Sequence, residues 1–163
     1  MTQEQMKMNK TNISGQKGFT LLEVLAVILI IGILAGMVIP RYHRTIAHQR
    51  LRAYGDELKN DIRFVQQQAM AEGGYFDIRF YPYVTPPRYL IYKGTQLVER
   101  KDVPAGVSIA SVNFPRVGPA PALRFTYTGV PSSGGTVELI NSYGVRLLVV
   151  TTPVTARVRI EEQ

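Results

Sequence analysis

Lys17-Gly18-Phe19-Thr20-Leu21-Leu22-Glu23-Val24 opens an apolar run that extends to Ile39. From Val24 to Ile39 no side chain is charged. Residues 19–39 would span about 31 Å as a helix, at roughly 1.5 Å per residue, and a bilayer's hydrocarbon core is roughly 30 Å thick. The length predicts a membrane helix over residues 19–39. Its one charge is Glu23. A carboxylate in a membrane helix is costly and tends to mark function, although a Glu at a helix end can also reach the headgroups. A general secretory signal fits less well, because such signals carry a core of roughly 7–15 apolar residues and then a small-x-small cut site. Here the run is longer, and Ala35-Gly36-Met37 is a poor match.

The leader ending in Gly18, the residues Phe19, Thr20, Leu21, Leu22 and Glu23, and the apolar helix behind them resemble the prepilin signal of type IV pilins and type II secretion pseudopilins. The resemblance covers about the first quarter of the chain. It implies that a prepilin peptidase, a membrane aspartyl enzyme, removes residues 1–18 by cutting between Gly18 and Phe19 and then N-methylates Phe19. It also implies an assembly role for Glu23. The partners implied are other pilin or pseudopilin subunits, the inner-membrane assembly platform and the lipid bilayer. Charge alone leaves the orientation open, since Lys7, Lys10 and Lys17 precede the span while Arg41, Arg44, Arg50 and Arg52 follow it. The resemblance implies a single-pass inner-membrane protein with its N-terminus cytoplasmic and its C-terminal domain periplasmic or extracellular.

Pro40 ends the apolar run. A proline inside a helix removes one hydrogen bond and crowds the preceding turn, so the helix either stops or bends there. The pattern beyond favours a bend. Ala47, Leu51, Tyr54, Leu58, Ile62, Val65 and Ala69 fall within about 80° of one another at 100° per residue. Arg52, Asp56, Lys59, Asn60, Arg63 and Gln67 lie on the other side, and Tyr42 and Ile46 fall off the stripe. Gly73-Gly74 ends the helix, since glycine readily takes the left-handed conformation at a C-cap. A helix over residues 19–72 would be about 80 Å long, too long for a small domain to cover. Its first half must meet lipid or other subunits. Gly32 and Gly36 suit close helix packing in a bundle.

After Gly74 the period becomes alternating. Phe76, Ile78 and Phe80 alternate with Asp77 and Arg79; Leu123, Phe125 and Tyr127 with Arg124 and Thr126; Ala156, Val158 and Ile160 with Arg157 and Arg159. Tyr89–Tyr92 and Leu97-Val98 flank Lys93-Gly94, a hairpin signal. Val107, Ile109, Val112 and Phe114 also read as strand. Val137, Leu139, Val145, Leu147 and Val149 surround a turn at Asn141-Ser142-Tyr143-Gly144. Prolines sit mostly between these runs. The pattern predicts roughly seven short strands over residues 73–163, largely antiparallel, as a sheet laid on the helix stripe. The fold class is therefore α+β and pilin-like: a long N-terminal helix, membrane half then amphipathic half, packed on a C-terminal antiparallel β domain. The layout resembles the GspH/FimT type of minor pilin and pseudopilin, including the stretches Gly134–Leu139, Asn141–Gly144 and Ala156–Ile160. That type often closes on Gly-Arg-Val, where this chain has Ala156-Arg157-Val158.

Hydrophobic content is an ordinary 45%, but much of it lies in one block. Cysteine is absent, which excludes disulfides, Cys-based metal sites and Cys nucleophiles. His43 and His48 are five residues apart, about 140° around a helix, which is poor for one metal, and a Ser-His arrangement would need one of them to reach the Ser132-Ser133 loop. No phosphate loop, dinucleotide fingerprint or His-Glu-x-x-His occurs. Asp56-Glu57 and Glu161-Glu162 read as solvated charge. Asp77, Glu99 and Asp102 would bind calcium only if their loops converged. The tyrosines at 81, 83, 89 and 92 can stack bases or sugars but suit a core or surface ridge better. No cofactor and no metal are expected. The chemistry favours a structural filament subunit over an enzyme. The runner-up is a nucleic-acid-binding minor pilin of a competence, or DNA-uptake, pseudopilus, resting on the net charge of +7 and on Arg157 and Arg159 sharing a strand face.

Overall fold

The computed structural model describes residues 18–153 and 156–162, with the side chains of residues 37–41 set aside. The basic leader with Lys7, Lys10 and Lys17 therefore lies outside the described residues, as does the side chain of Pro40 on which the expected bend rests. The chain divides into two units, residues 1–39 and 40–163.

In the first unit the helix α1 (Leu21–Glu72) begins, and every described side chain from Phe19 to Gly36 is exposed. Leu25, Ile28, Leu29 and Ile31 are each more than half exposed, so apolar groups look outward on all faces. Such a helix has no core of its own to face. No helix among the described residues is long and apolar enough to cross a membrane, the described side chains of this half ending at Gly36.

In the second unit α1 turns amphipathic. Leu51, Tyr54, Leu58, Ile62, Val65 and Ala69 are buried, and Ala47 is half-buried. The helix assignment continues past Pro40 and ends at Glu72, where Gly73 takes a φ of 65°.

Among the described residues nine strands follow. They are β1 (Phe76–Tyr81), β2 (Arg88–Lys93), β3 (Gln96–Asp102), β4 (Val107–Val112), β5 (Arg116–Val117), β6 (Ala120–Phe125), β7 (Gly135–Asn141), β8 (Arg146–Thr151) and β9 (Val158–Glu162). They do not form the single sheet that alternation suggests. A five-stranded sheet runs β3-β2-β1-β6-β5 and a four-stranded sheet β4-β7-β8-β9. All pairs are antiparallel, with Ile78 opposite both Ile91 and Leu123, and Val149 opposite both Val137 and Ile160. Alternation fixes which residues point inward but not which strands pair, and the chain crosses between the sheets three times, at the β3–β4, β4–β5 and β6–β7 connections. Phe76, Ile78, Phe80, Leu123 and Phe125 from the first sheet and Val137, Leu139, Leu147 and Val149 from the second join the helix stripe in one core.

Four expected strand residues fall outside strands: Phe114 lies just beyond β4 and Val145 just before β8, joined by Tyr127 and Ala156. Tyr127 follows β6 and is exposed. Ala156 precedes β9 with a left-handed φ of 49°, held where the Thr152 N–H donates to the Arg157 carbonyl at 3.0 Å. The edge strand β3 is almost wholly exposed and carries Glu99, Arg100, Lys101 and Asp102. A run of charge there discourages edge-to-edge pairing.

Gly55 sits on the buried face of α1, where an added Cβ would lie 2.6 Å from a Leu147 methyl on β8. The absent side chain is what lets helix and second sheet approach. A Gly55→Val change should destabilise a fragment beginning at Tyr42 by about 2 kcal/mol, because overpacking outweighs the small gain in helix propensity. Ala156→Gly should stabilise the same fragment by about 0.5–1 kcal/mol, by relieving the left-handed strain net of glycine's greater chain entropy. Urea midpoints at unchanged m-value check both.

Candidate functional site

The start of α1 is built around Thr20. The Glu23 N–H donates to the Thr20 hydroxyl at 3.2 Å and to its carbonyl at 3.1 Å, and the Val24 N–H donates to the same carbonyl at 3.2 Å. Thr20 is thus the N-cap and Glu23 the third helical residue, the spacing of a capping box. Ser/Thr-x-x-Glu ahead of an apolar run is legible in sequence, although the charge of Glu23 draws attention first. A carboxylate here also meets the positive end of the helix dipole. Phe19 stays outside the helix and is 83% exposed. Around Gly18 nothing lies within 4 Å of where a side chain would begin. The Gly18–Phe19 bond therefore sits in open, non-helical backbone directly before a fixed helix start. Phe19, Glu23, Val24, Val27 and Ile28 line one shallow apolar cavity.

A second constellation lies between α1 and β9. Arg52, Lys59 and Arg63 fall within about 40° of one another on the helix. With Asp56 they line a groove of about 450 Å³, whose other wall carries Arg157, Arg159 and Glu162. Lys59 pairs with Asp56 at 3.5 Å and Arg159 with Glu161 at 2.9 Å. Five cations thus surround two lining carboxylates. Sequence pattern shows the helical cations and the strand arginines separately; only the docking of β9 beside the helix joins them.

The remaining candidates are dispersed. Asp77, Glu99 and Asp102 do not converge. Asp77 is buried beneath Arg124, which grips it in two bonds of 2.6 and 2.9 Å, and Arg79 at 3.1 Å. Glu99 meets Lys101 at 3.4 Å and Asp102 meets Arg100 at 2.9 Å. Among the described residues no group of His, Asp and Glu is placed to hold a metal. The neighbouring carboxylates expected to be merely solvated are paired: Glu57 with Lys101 at 3.3 Å, and Glu162 with His48 at 3.0 Å. His48 thus has a partner, and His43 lines a cavity beside Tyr143. Tyr89 is wholly buried and its hydroxyl donates to Asp61, tying α1 to β2. Burial pushes its hydroxyl pKa up, and so does the Asp61 carboxylate that accepts its proton. Tyr92 lies under the Arg79 guanidinium at 4.1 Å, whereas Tyr83 is 94% exposed. The tyrosines form no common stacking platform.

Comparison with known proteins fits this geometry. The prokaryotic N-terminal methylation motif matches residues 13–39. The type II secretion system protein H of Klebsiella pneumoniae is 37% identical over 70 residues, a stretch that takes in 41% of this chain and 39% of that protein. The fold is similar to the minor pseudopilin EpsH of the Vibrio cholerae type 2 secretion system, with a TM-score of 0.56 and 13% identity over 69% of this chain and 97% of that one. It is also similar to the type IV minor pilin FimU of Pseudomonas aeruginosa, with a TM-score of 0.52 and 13% identity over 70% of this chain and 90% of that one. Motif, relative and fold together support the type IV pilin and pseudopilin superfamily, with the GspH/FimT-like minor pilins as the similar group.

Burial by itself would raise the pKa of Asp77, but the hydrogen bonds and charge of Arg124 and Arg79 outweigh it and hold the carboxyl below its ordinary value. Its stabilising contribution is therefore complete above the unfolded carboxyl range and lost as pH falls through the lower, folded value. Asp77→Asn should cost the Tyr42 fragment about 2 kcal/mol at neutral pH, discounted from the loss of a fully buried partner because Arg124 is half-exposed. The gap to the unsubstituted fragment should narrow progressively below about pH 4. Urea titrations across that range check the sign; a gap that widens on acidification would contradict it.

Proposed function

We propose that the chain is a minor pilin or pseudopilin, a structural subunit of a type II secretion or type IV pilus-like filament and not an enzyme. The observation that carries this is the change of character along α1. One half exposes apolar side chains on every face, and the other supplies the core stripe of a β domain. The first half is a membrane span before assembly, held with its N-terminus cytoplasmic, and a packing surface among neighbouring subunits afterwards. Pro40 is where the two halves can bend relative to each other. Prepilin peptidase cuts between Gly18 and Phe19 and methylates Phe19, and the assembly platform then receives the mature subunit. The capped helix start and open backbone at Gly18 support such a cut.

Glu23 is assigned to assembly. Cleavage leaves a cationic amine on Phe19. In low dielectric a carboxylate and an amine attract far more strongly than in water. The pairing needed in a filament is between Glu23 and the Phe19 amine of a neighbouring subunit, which neutralises both as they are buried. Leaving one uncompensated costs roughly 3–5 kcal/mol when fully buried.

A second reading, a DNA-binding minor pilin of a competence pseudopilus, is favoured by the groove in which Arg52, Lys59 and Arg63 face Arg157 and Arg159. Duplex DNA retention by the Tyr42 fragment should then fall steeply with salt, with a log–log slope of about −0.9 for each phosphate neutralised, and Arg157→Gln with Arg159→Gln should flatten that slope by about 2. Absence of retention at low salt leaves the structural reading alone.

For the structural reading, Glu23→Ala should leave expression and membrane insertion intact, since it makes the helix more apolar, yet reduce crosslinking to partner pilins several-fold. Intact mass in the same membrane extracts should show a chain beginning at N-methylated Phe19. Unchanged crosslinking in the variant would remove Glu23 from assembly, and a chain beginning near Met37 would point to an ordinary secretory signal instead.

A further inference from the structure

Between Glu23 and Asp56 the chain contains no acidic residue, yet Arg41, Arg44, Arg50 and Arg52 crowd the end of its apolar run. In the orientation proposed above, these cations lie on the far side of the membrane. Short flanks on that side ordinarily carry few Lys and Arg, so four arginines there are unusual.

In the second unit the surroundings of two of them, Arg44 and Arg50, are described. A cavity of about 320 Å³ is lined by His43, Ile46, Ala47 and Arg50 of α1, Gly106 of the β3–β4 turn, and Ser142 and Tyr143 of the β7–β8 turn. The two turns are joined by the Ser142 N–H, which donates to the Gly106 carbonyl at 3.3 Å. The β7–β8 turn is itself held by Asn141, whose side-chain oxygen accepts from the N–H groups of Tyr143 at 2.9 Å and Val145 at 3.0 Å. Arg44 lies 5.8 Å from the centre of the Tyr143 ring. Among the described residues neither Arg44 nor Arg50 has a carboxylate in ion-pair range. The cavity thus combines an apolar floor, Ile46 and Ala47, with guanidinium, imidazole and hydroxyl donors. Tyr42 and Tyr143 are both about half exposed or more, and tyrosines concentrate at membrane–water interfaces.

We propose that this cavity is a docking site for the headgroup of an anionic phospholipid in the leaflet next to the β domain. Arg50 and the Ser142 hydroxyl are the donors for the phosphodiester, Arg44 adds charge while braced on Tyr143, and Ile46 and Ala47 meet the first carbons beyond it. The occupant follows from the complementarity of charge and from position, since only residues 40–42 separate His43 from the apolar run. A phospholipid offers an anion and an apolar tail at that point in the chain. The proposal rests on the membrane-held reading above. It also gives the arginines behind the span a function: they seat the β domain on the bilayer until the subunit leaves for the filament.

The test uses the full chain in phosphatidylcholine vesicles with and without phosphatidylglycerol. Resistance to alkaline extraction reports insertion, and native mass spectrometry reports lipid retained after transfer to detergent. The unsubstituted chain should retain phosphatidylglycerol preferentially. Arg44→Gln and Arg50→Gln should each reduce the preference by about fivefold, the worth of one cation near an anionic surface, without changing insertion. Arg100→Gln with Arg146→Gln, on β3 and β8, should change neither. Insertion with no preference, or a preference that survives both cavity substitutions, would overturn the proposal and leave the membrane reading standing. Displacement of the lipid by inorganic phosphate would make this a free-phosphate site, and self-association in detergent abolished by the same substitutions would assign it to a second copy; either overturns the lipid. A chain that alkali extracts freely would overturn the membrane reading and the proposal with it.

Discussion

Burial of one helix stripe holds the β domain together. Leu51, Leu58, Ile62 and Val65 are at most 1% exposed, and the inward faces of both sheets close on them. The first brings Phe76, Ile78, Phe80, Leu123 and Phe125 to this core, and the second brings Val137, Leu139, Leu147 and Val149. Each fully buried side chain of this size contributes roughly 1.5–3 kcal/mol. Removing the helix would expose apolar faces on two sheets at once. The close approach at Gly55 and the stacking of Phe80 on Phe114, with ring centres 5.9 Å apart, show how tightly the layers meet.

Polar contacts then fix the arrangement that burial permits. The Tyr89 hydroxyl donates to Asp61, Lys101 reaches Glu57, and the Gln66 amide donates to the Gly129 carbonyl at 2.9 Å, so the helix is pinned to β2, β3 and the β6–β7 loop in turn. On the opposite face of the first sheet, Asp77 is shielded by two arginines drawn from β1 and β6. Burying that carboxylate is tolerable only because both partners satisfy it.

Function is divided along the same helix. Its start is defined by Thr20, which caps the first turn and leaves Phe19 and Gly18 outside it. Its end is a stripe that builds the domain. Between them comes a segment free of acidic residues, where cations gather beside two β-turns. The groove toward β9 adds a second cationic surface farther along. His48 is engaged by Glu162, and Ser132 and Ser133 lie with no histidine in the same segment.

The local elements and their faces were determined by sequence alone. A 3.6-residue period marked the helix stripe from Ala47 to Ala69, a two-residue period marked the inward residues of most strands, and glycines marked the helix end at Gly73 and the hairpin at Gly94. The stretch around Gly18 and Glu23 was legible because it is one short contiguous motif. What only the tertiary structure decided was pairing across distance. Alternation is the same whether strands form one sheet or two, so the split between β1–β2–β3–β5–β6 and β4–β7–β8–β9 carried no local signal. Nor did the partners of Asp77 and His48, 47 residues from Arg124 in the one case and at the far end of the chain in the other, because an ion pair depends on register and not on composition. The two cationic surfaces appeared only when turns and a terminal strand, each unremarkable in sequence, were packed against the charged side of the helix. Side-chain period reports which way a residue points along its own element, and it is the packing of elements that determines what it meets.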